Sequence, residues 1–343
     1  MSTEQMPRDV CVSTVRQEAY HFGNIHYYFS RVLVDELGPQ KGKQLLRKAV
    51  YNFAVERGRE LRKKAEQLGL APTQENWRKI TDIPFIAWVG EGKYKCPYGW
   101  AWLEKAKADP QALEFGFLYC IVNDPTVANT FNPSTEQLTF TRHVLWGDDF
   151  CDRITESGGI VVADTLKERT ERETKGEKPR LTEGPKTIST DECIKNVRQM
   201  MSHSANLYYH YANVITEETG KVKGREIITE AVKRLASERG RDLRKKAEEL
   251  GIEPTLDNFS KGTDIVFMPP NVKDAFYCPY GDVWNRKGEL GRELGLVYCE
   301  ANDAALLEAY NPELKQVKFK KHVLRDDGRC ERTLEYRGNT ITL

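Results

Sequence analysis

A chain of 343 residues exceeds the ~100–200 residues of a typical domain, so two domains are expected, each with enough chain to bury a core. Lys and Arg number 52 against 51 Asp and Glu, which leaves no net field to draw the protein to nucleic acid or to an anionic membrane. No stretch approaches the ~18 consecutive apolar residues of a membrane helix, and MSTEQMPRDV lacks the basic and apolar regions of a signal peptide, so a cytoplasmic protein is expected, with its eight cysteines kept as thiols, ligands or nucleophiles.

Apolar residues recur at helical spacing through 11–37 and 41–69, with Gly69 as a stop, which predicts a long helical hairpin. The first arm carries Arg16, His21, Asn24 and Tyr27. The last three are spaced by three and lie along one side within about 120°, either as a stripe for a polar ligand or as a hydrogen-bonded seam between domains. In the second arm Arg57, Arg59, Arg62, Lys63 and Lys64 alternate with Glu56, Glu60 and Glu66, the pattern of a solvated face laced with i,i+4 pairs. Ile83 to Val89 reads as a buried strand.

Cys96 precedes Pro97, and proline favours the first helical position, so Cys96 is expected to cap a short helix over Pro97 to Ala108. A helix N-terminus can bring a thiol from ~8.5 towards ~3.5–7.5, which makes Cys96 a candidate nucleophile; the plainer reading is a capping or buried cysteine. Gln137 to Trp146 reads as a strand entering the turn Gly147-Asp148-Asp149. Strand parity sets His143 with Thr139 and Thr141, away from Leu138, Phe140 and Val144, so it is expected to face solvent or a cleft. With Cys120 and Cys151 it offers a ligand set for zinc or another thiophilic metal; otherwise it is a polar histidine beside core cysteines. No CxxC, phosphate loop, GxSxG or HExxH occurs.

Thr165 to Ser189, rich in Lys, Arg, Glu, Pro and Gly, has the composition of a solvated linker. Beyond it the chain repeats itself. ERGRELRKKAEQLG (Glu56 to Gly69) returns as ERGRDLRKKAEELG (Glu238 to Gly251), twelve of fourteen positions identical at an offset of 182. The same offset pairs Thr81-Asp82-Ile83 with Thr263-Asp264-Ile265 and Cys96-Pro97-Tyr98-Gly99 with Cys278-Pro279-Tyr280-Gly281; after a three-residue deletion, 179 pairs His143-Val144-Leu145 with His322-Val323-Leu324. All eight cysteines fall into such pairs: Cys11 with Cys193, Cys96 with Cys278, Cys120 with Cys299, and Cys151 with Cys330. His21, Asn24 and Tyr27 are matched by His203, Asn206 and Tyr209, and the second ligand set is Cys299, His322 and Cys330. The expected organisation is α+β: two tandem homologous domains, 10–164 and 190–343, each a helical hairpin packed on a small antiparallel sheet, joined by the charged linker 165–189.

The helical start, LGPQKGKQLLRKAV, ERGRELRKKAEQLG, the cysteine before a short helix and YCIVNDPTVANTFNPSTEQLTFTRHVLWGDDFCD together resemble the L-2-amino-thiazoline-4-carboxylic acid hydrolase family, once per half. The last segment is also similar to the end of the small-molecule-binding domain of the 4-vinyl reductase type, with His143 where that domain commonly has a cysteine. The resemblance implies hydrolysis of a C–N bond in a small cyclic amidine. In such a hydrolase Cys96 attacks, or a metal-bound water attacks; His143 or His21 handles protons; and Arg16, Asn24 and Tyr27, with His203, Asn206 and Tyr209 in the second half, hold the substrate. The alternative is a non-catalytic tandem module that binds a small molecule or a metal. Two further expectations are that Cys96 reacts faster than Cys278, which is followed by Asp282, and that the first half is the better-formed site, because its Gly147 turn is intact where the second half reads Arg325-Asp326-Asp327-Gly328.

Overall fold

The computed structural model describes residues 4–88, 92–157, 160–162, 185–264, 271–272 and 275–343; most of the linker expected at 165–189 therefore lies outside the described residues. Strand β1 (Gln5–Pro7) leads into α1 (Arg8–Gln67), whose only non-helical residue is Gly38 at φ 78, ψ 163, just before Pro39. Only glycine adopts that backbone without cost, so the break divides α1 into the two arms expected from the periodicity. Then come α2 (Gln74–Ile80), a 3-10 turn (Phe85–Trp88), α3 (Pro97–Ala106), α4 (Gln111–Phe131), and the strands β2 (Thr135–Arg142), β3 (Asp152–Ser157) and β4 (Ile160–Val162).

The second half follows the same order. After β5 (Thr187–Ser189), α5 (Thr190–Thr219) and α6 (Lys221–Glu249) flank Gly220, which has φ 81 and ψ 162. Next are α7 (Phe259–Gly262), the short strands β6 (Asn271–Val272) and β7 (Ala275–Phe276), α8 (Pro279–Arg286), α9 (Gly288–Tyr310), and β8 (Leu314–Lys321), β9 (Glu331–Tyr336) and β10 (Asn339–Thr342). The architecture is α+β, with long helices and small antiparallel sheets: β2-β3-β4 and β8-β9-β10 are three-stranded meanders. No helix among the described residues is long and apolar enough to cross a membrane.

The stretch Ile83 to Val89 is not a strand. Pro84 has no N–H to give a ladder, its carbonyl accepts the Ala87 amide at 3.0 Å, and Phe85–Trp88 closes into a 3-10 turn. Val89 lies outside the described residues.

The chain divides into two compact units that do not follow the halves of the sequence: Met1–Tyr27 with Arg47–His203, and Tyr28–Leu46 with Ser204–Leu343. In the first unit β1 pairs antiparallel with β5, Met6 opposite Ile188, and Cys11 and Cys193 lie fully buried as free thiols. Its core gathers Ala54, Leu61, Ala65, Ile80, Val127 and Phe131. Gly58 lets α4 approach: a Cβ there would fall 2.5 Å from that of Thr130. In the second unit Ala236, Leu243, Ala247, Leu306, Leu307, Tyr310 and Leu334 form the corresponding core, and a Cβ on Gly240 would lie 2.3 Å from the Leu306 carbonyl oxygen. The glycine inside each ERGR motif is thus explained by a helix crossing.

The charged run of the second arm is only partly solvated. Arg57 is 7% exposed and bonds Asp82 through Nε at 2.6 Å and Nη2 at 2.9 Å; Arg62 caps the end of α4 at the Phe131 carbonyl, 2.9 Å; Lys64 reaches the Ile80 carbonyl at 3.1 Å. Arg59 and Lys63 face out. Helical period alone cannot separate a buried arginine that has a partner from a solvated one.

Candidate active site

Cys96 caps α3 as the Cys-Pro order predicts, with Pro97 in the first turn and its sulfur accepting the Gly99 amide at 3.4 Å. On α4, Cys120 and Asp124 are one turn apart and share a face with Asn123 beside them. After the turn at Gly147 the chain presents Cys151 and then Arg153 on β3, whose guanidinium meets Asp124 at 2.9 Å. Two loops, a helix and a strand thus bring Cys96, Cys120 and Cys151 around one carboxylate–guanidinium pair, close enough for each thiol to feel the others electrostatically.

Burial decides the charge state of these thiols. It pushes Cys151 up to about 12 and raises Cys96 and Cys120, the latter further under the negative charge of Asp124. The N–H donors on Cys96 act in the expected direction but do not outweigh burial. The resting site holds neutral thiols, so the helix terminus does not by itself make Cys96 a thiolate.

Behind the thiols runs a buried polar chain. Asn123 Nδ2 donates to Asp124 at 2.8 Å, and its Oδ1 accepts from Arg57 at 3.0 Å. Arg57 holds Asp82, and the His203 Nδ1 stands 3.6 Å from the same carboxylate while its ring stacks on Phe22 at 4.8 Å. Burial would raise Asp82, but the Arg57 charge and hydrogen bonds win and bring it to about 2; His203 falls to about 3 by burial and the Arg57 charge. Tyr98 and Tyr119 flank this chain, and the Tyr119 hydroxyl has no hydrogen-bond partner among the described residues.

His143 is 1% exposed, against the expectation from parity that it faces solvent. The strand ends at Arg142, and His143 instead caps the 3-10 turn Val144–Trp146, its Nδ1 accepting the Leu145 amide at 3.1 Å and its backbone amide donating to Asp148 at 2.8 Å. Phe117, Phe140 and Trp146 surround the ring at 5.0–5.6 Å, and Arg153 lies over the same Phe140 ring. Burial lowers His143 to about 4, so it is neutral at pH 7, and with Nδ1 used as acceptor its proton sits on Nε2. That Nε2 has no partner among the described residues. The ring is therefore set up as a hydrogen-bond donor.

The helical stripe is not a single ligand site. Arg16 gives its guanidinium to the carbonyls of Ala87 (2.7 Å), Lys95 (3.1 Å) and Tyr94 (2.7 Å), and Tyr27 donates to Asp109 at 2.9 Å. His21 and Asn24 are buried on the same helix. Of the matching residues, His203 belongs to the first unit, at Asp82, whereas Asn206 and Tyr209 belong to the second, where Tyr209 packs under Lys287 at 4.9 Å. The metal sets Cys120, His143, Cys151 and Cys299, His322, Cys330 are not assembled: among the described residues no three His, Cys, Asp or Glu side chains are placed to hold a metal ion. Each histidine has turned its Nδ1 to a backbone amide and packs on aromatic rings, which takes it out of a ligand shell.

The second unit reproduces the cluster. Cys278 caps α8 and accepts the Gly281 amide at 3.4 Å; Cys299 and Asp303 are one turn apart on α9; Cys330 precedes Arg332, which pairs with Asp303. Burial raises all three thiols here too. His322 is lowered to about 4 by burial, caps its 3-10 turn through Leu324 at 3.1 Å, and packs 4.5 Å from Phe319, over which Arg332 lies. The shifted glycine leaves the turn in place: Asp326 takes the left-handed conformation of Gly147 (φ 63 against 101), and His322 still donates to Asp327 at 2.8 Å.

The residues missed by sequence reasoning are Arg57, Asn123, Asp124 and Arg153. All recur at the repeat offsets, Arg57 as Arg239, Asn123-Asp124 as Asn302-Asp303 and Arg153 as Arg332, so extending the internal comparison from cysteine and histidine to every polar residue would have found them. Residues 199–332, within the second half, match the model of the L-2-amino-thiazoline-4-carboxylic acid hydrolase family. No curated protein and no solved structure matches the chain.

Proposed function

We propose that the protein is a tandem hydrolase of small polar molecules in which each half carries one site, and that the sites open a C–N bond of a cyclic amidine bearing a carboxylate. The observation that carries this reading is the duplicated cluster of three thiols around an Asp–Arg pair, Asp124–Arg153 and Asp303–Arg332. A zwitterion can exchange partners with such a pair, its amidinium turning to Asp124 and its carboxylate to Arg153 and the His143 Nε2–H. The family match over residues 199–332 supports hydrolase chemistry of this kind.

In this reading Cys96 is the nucleophile, Cys278 its counterpart, and the raised thiols are activated by substrate rather than at rest. The Cys96 sulfur bonds to the amidine carbon, and its proton passes to the ring nitrogen that receives the C=N electron pair. The exocyclic nitrogen then re-forms a double bond to that carbon as the ring nitrogen leaves as an amine. Water adds to the same carbon and the sulfur departs as a thiol. Asp124 stabilises the cationic amidine and Asn123 and Arg57 hold Asp124 in place; His143 donates without changing charge. No step uses Cys120 or Cys151 as a base, since burial keeps both protonated.

The raised thiols favour a second reading, a tandem binding module with no turnover. Incubation with L-2-amino-thiazoline-4-carboxylate, followed by mass spectrometry of the products, separates the two. The hydrolase reading expects ring opening by the wild-type protein, reduced by Cys96→Ser or Cys278→Ser singly and abolished in the double variant. Calorimetric binding without any ring opening would leave the module reading, and full activity in the double variant would end the nucleophile assignment.

A further inference from the structure

We propose that the two copies take different members of one substrate class, the first accepting a cyclic amidine carboxylate that carries an aromatic substituent, with Trp146 as the residue that selects it. The inference rests on the place assigned above to the substrate carboxylate, at Arg153 and the His143 Nε2–H. On α4 the spacing of Phe117, Cys120, Ile121 and Asp124 sets all four on one face, so Phe117 and Ile121 continue the row that ends in the Asp–Arg pair. Phe117 meets the His143 ring at 5.1 Å and the Trp146 ring at 5.0 Å, and Phe140 stands 5.0 Å from His143 with Arg153 over its face. Trp146 is 53% exposed and Ile121 38%. An exposed indole packed beside the ring that holds the buried donor is a platform at the mouth of the site.

The second copy keeps the backbone and replaces the platform. Trp146 and Arg325 end equivalent 3-10 turns, and the amide of each donates to the carbonyl of its capping histidine at 2.8 Å. At the offset of 179, Phe117, Ile121 and Trp146 become Leu296, Glu300 and Arg325. Glu300 binds Arg325 at 2.9 Å and Arg225 at 3.4 Å, so the place of the apolar surface is taken by an ion network, while Phe319, His322 and Arg332 remain beneath it. A substituent on the ring carbon next to the one that bears the carboxylate is brought against the wall around the histidine. In the first copy an aryl group there stacks on Trp146 and covers Phe117 and Ile121; in the second it would strip water from paired charges.

Calorimetric titration compares L-2-amino-thiazoline-4-carboxylate with its 5-phenyl derivative on the full chain carrying Cys96→Ser and Cys278→Ser, which removes turnover. At one of two sites the phenyl compound should bind about tenfold more tightly than the parent, and at the other no more tightly. Adding Trp146→Arg should abolish that preference. Adding Glu300→Ile with Arg325→Trp should create it at the second site. Trp146→Phe should retain a preference of about threefold. The exchanged side chains are exposed and sit on the same backbone in both copies, so the variants keep the fold. The inference is overturned if the phenyl compound is preferred at neither site or equally at both, if the preference survives Trp146→Arg, if the exchange creates none at the second site, or if neither compound binds. Self-association that Trp146→Arg abolishes, with the preference unchanged, would assign the platform to a second copy of the chain and overturn it too. Ring opening of both compounds by the wild type with no aryl preference would end this inference and leave the hydrolase reading; an aryl preference in binding without ring opening would end the hydrolase reading alone.

Discussion

The two sites keep the same chemistry in different surroundings. Three thiols, an Asp–Arg pair, a capping histidine and a phenylalanine under the arginine recur in both. Around them the first site has Phe117 and Trp146 where the second has Leu296 and Arg325, and Arg325 is engaged by Glu300 at 2.9 Å. The supports differ as well: Arg57 is 7% exposed and reaches Asn123, whereas Arg239, paired with Asp264 at 2.7 Å, is 25% exposed. What is held constant is the set that would meet a small charged ligand; what varies is the wall that admits it and the depth of the arginine behind it.

The deepest difference should give the largest effect. Arg57→Leu takes from Asp82 and Asn123 a guanidinium that is 7% exposed, and a loss of about 4 kcal/mol is expected, whereas Arg239→Leu removes one that is 25% exposed and should cost about 2 kcal/mol. Urea denaturation of the two variants checks this, and equal losses would break the comparison.

Acid should act alike on the two capping histidines. Each is lowered to about 4 from an ordinary value of 6.5, so the unfolded chain binds the proton first, and stability present at neutral pH is lost as pH falls from 6.5 through 4. The full effect is about 3 kcal/mol for each. His143→Asn and His322→Asn keep a capping acceptor and remove the titration, so both should flatten the stability profile in that window by similar amounts. A flattening confined to one would show that the copies differ at this point too.

A smaller acid effect belongs to the first site. Asp82 is held at about 2 against an ordinary 3.8, so its contribution, about 2 kcal/mol, is complete above pH 4 and disappears as pH falls from about 4 to about 2. Asp82→Asn should remove that dependence, as seen in unfolding curves collected below pH 4. The smallest effect is at the turns: Asp326→Gly should stabilise by about 0.5–1 kcal/mol and Gly147→Asp should destabilise by about as much, because only the glycine takes a left-handed backbone freely. Thermal unfolding would show opposite signs.

Much of this was legible in the sequence. Helical period, Gly69, the Cys-Pro cap and the strand before the Gly-Asp turn all act within a few residues, and each appears where local rules place it. The strand expected after Ile83 failed because Pro84 removes a donor and Arg16, distant in sequence, takes the carbonyl a ladder would use. His143 was assigned to the wrong environment because parity ends with the strand, one residue before it. Arg57 and Asp124 were missed because burial of a charge depends on a partner elsewhere in the chain, Asp82 in one case and Arg153 in the other.

Each compact unit draws a helical stretch from both halves of the chain, the boundaries falling at Tyr27–Tyr28, Leu46–Arg47 and His203–Ser204 inside long helices. Cleavage between residues 162 and 185 would therefore not release two working modules. The N-terminal fragment would lose Ile188, Cys193 and His203 from beside Met6, Cys11 and Asp82, and the C-terminal fragment would lose Phe29, which packs on Tyr208 and Tyr211. Expressed as separate polypeptides, the fragments should complement one another when mixed.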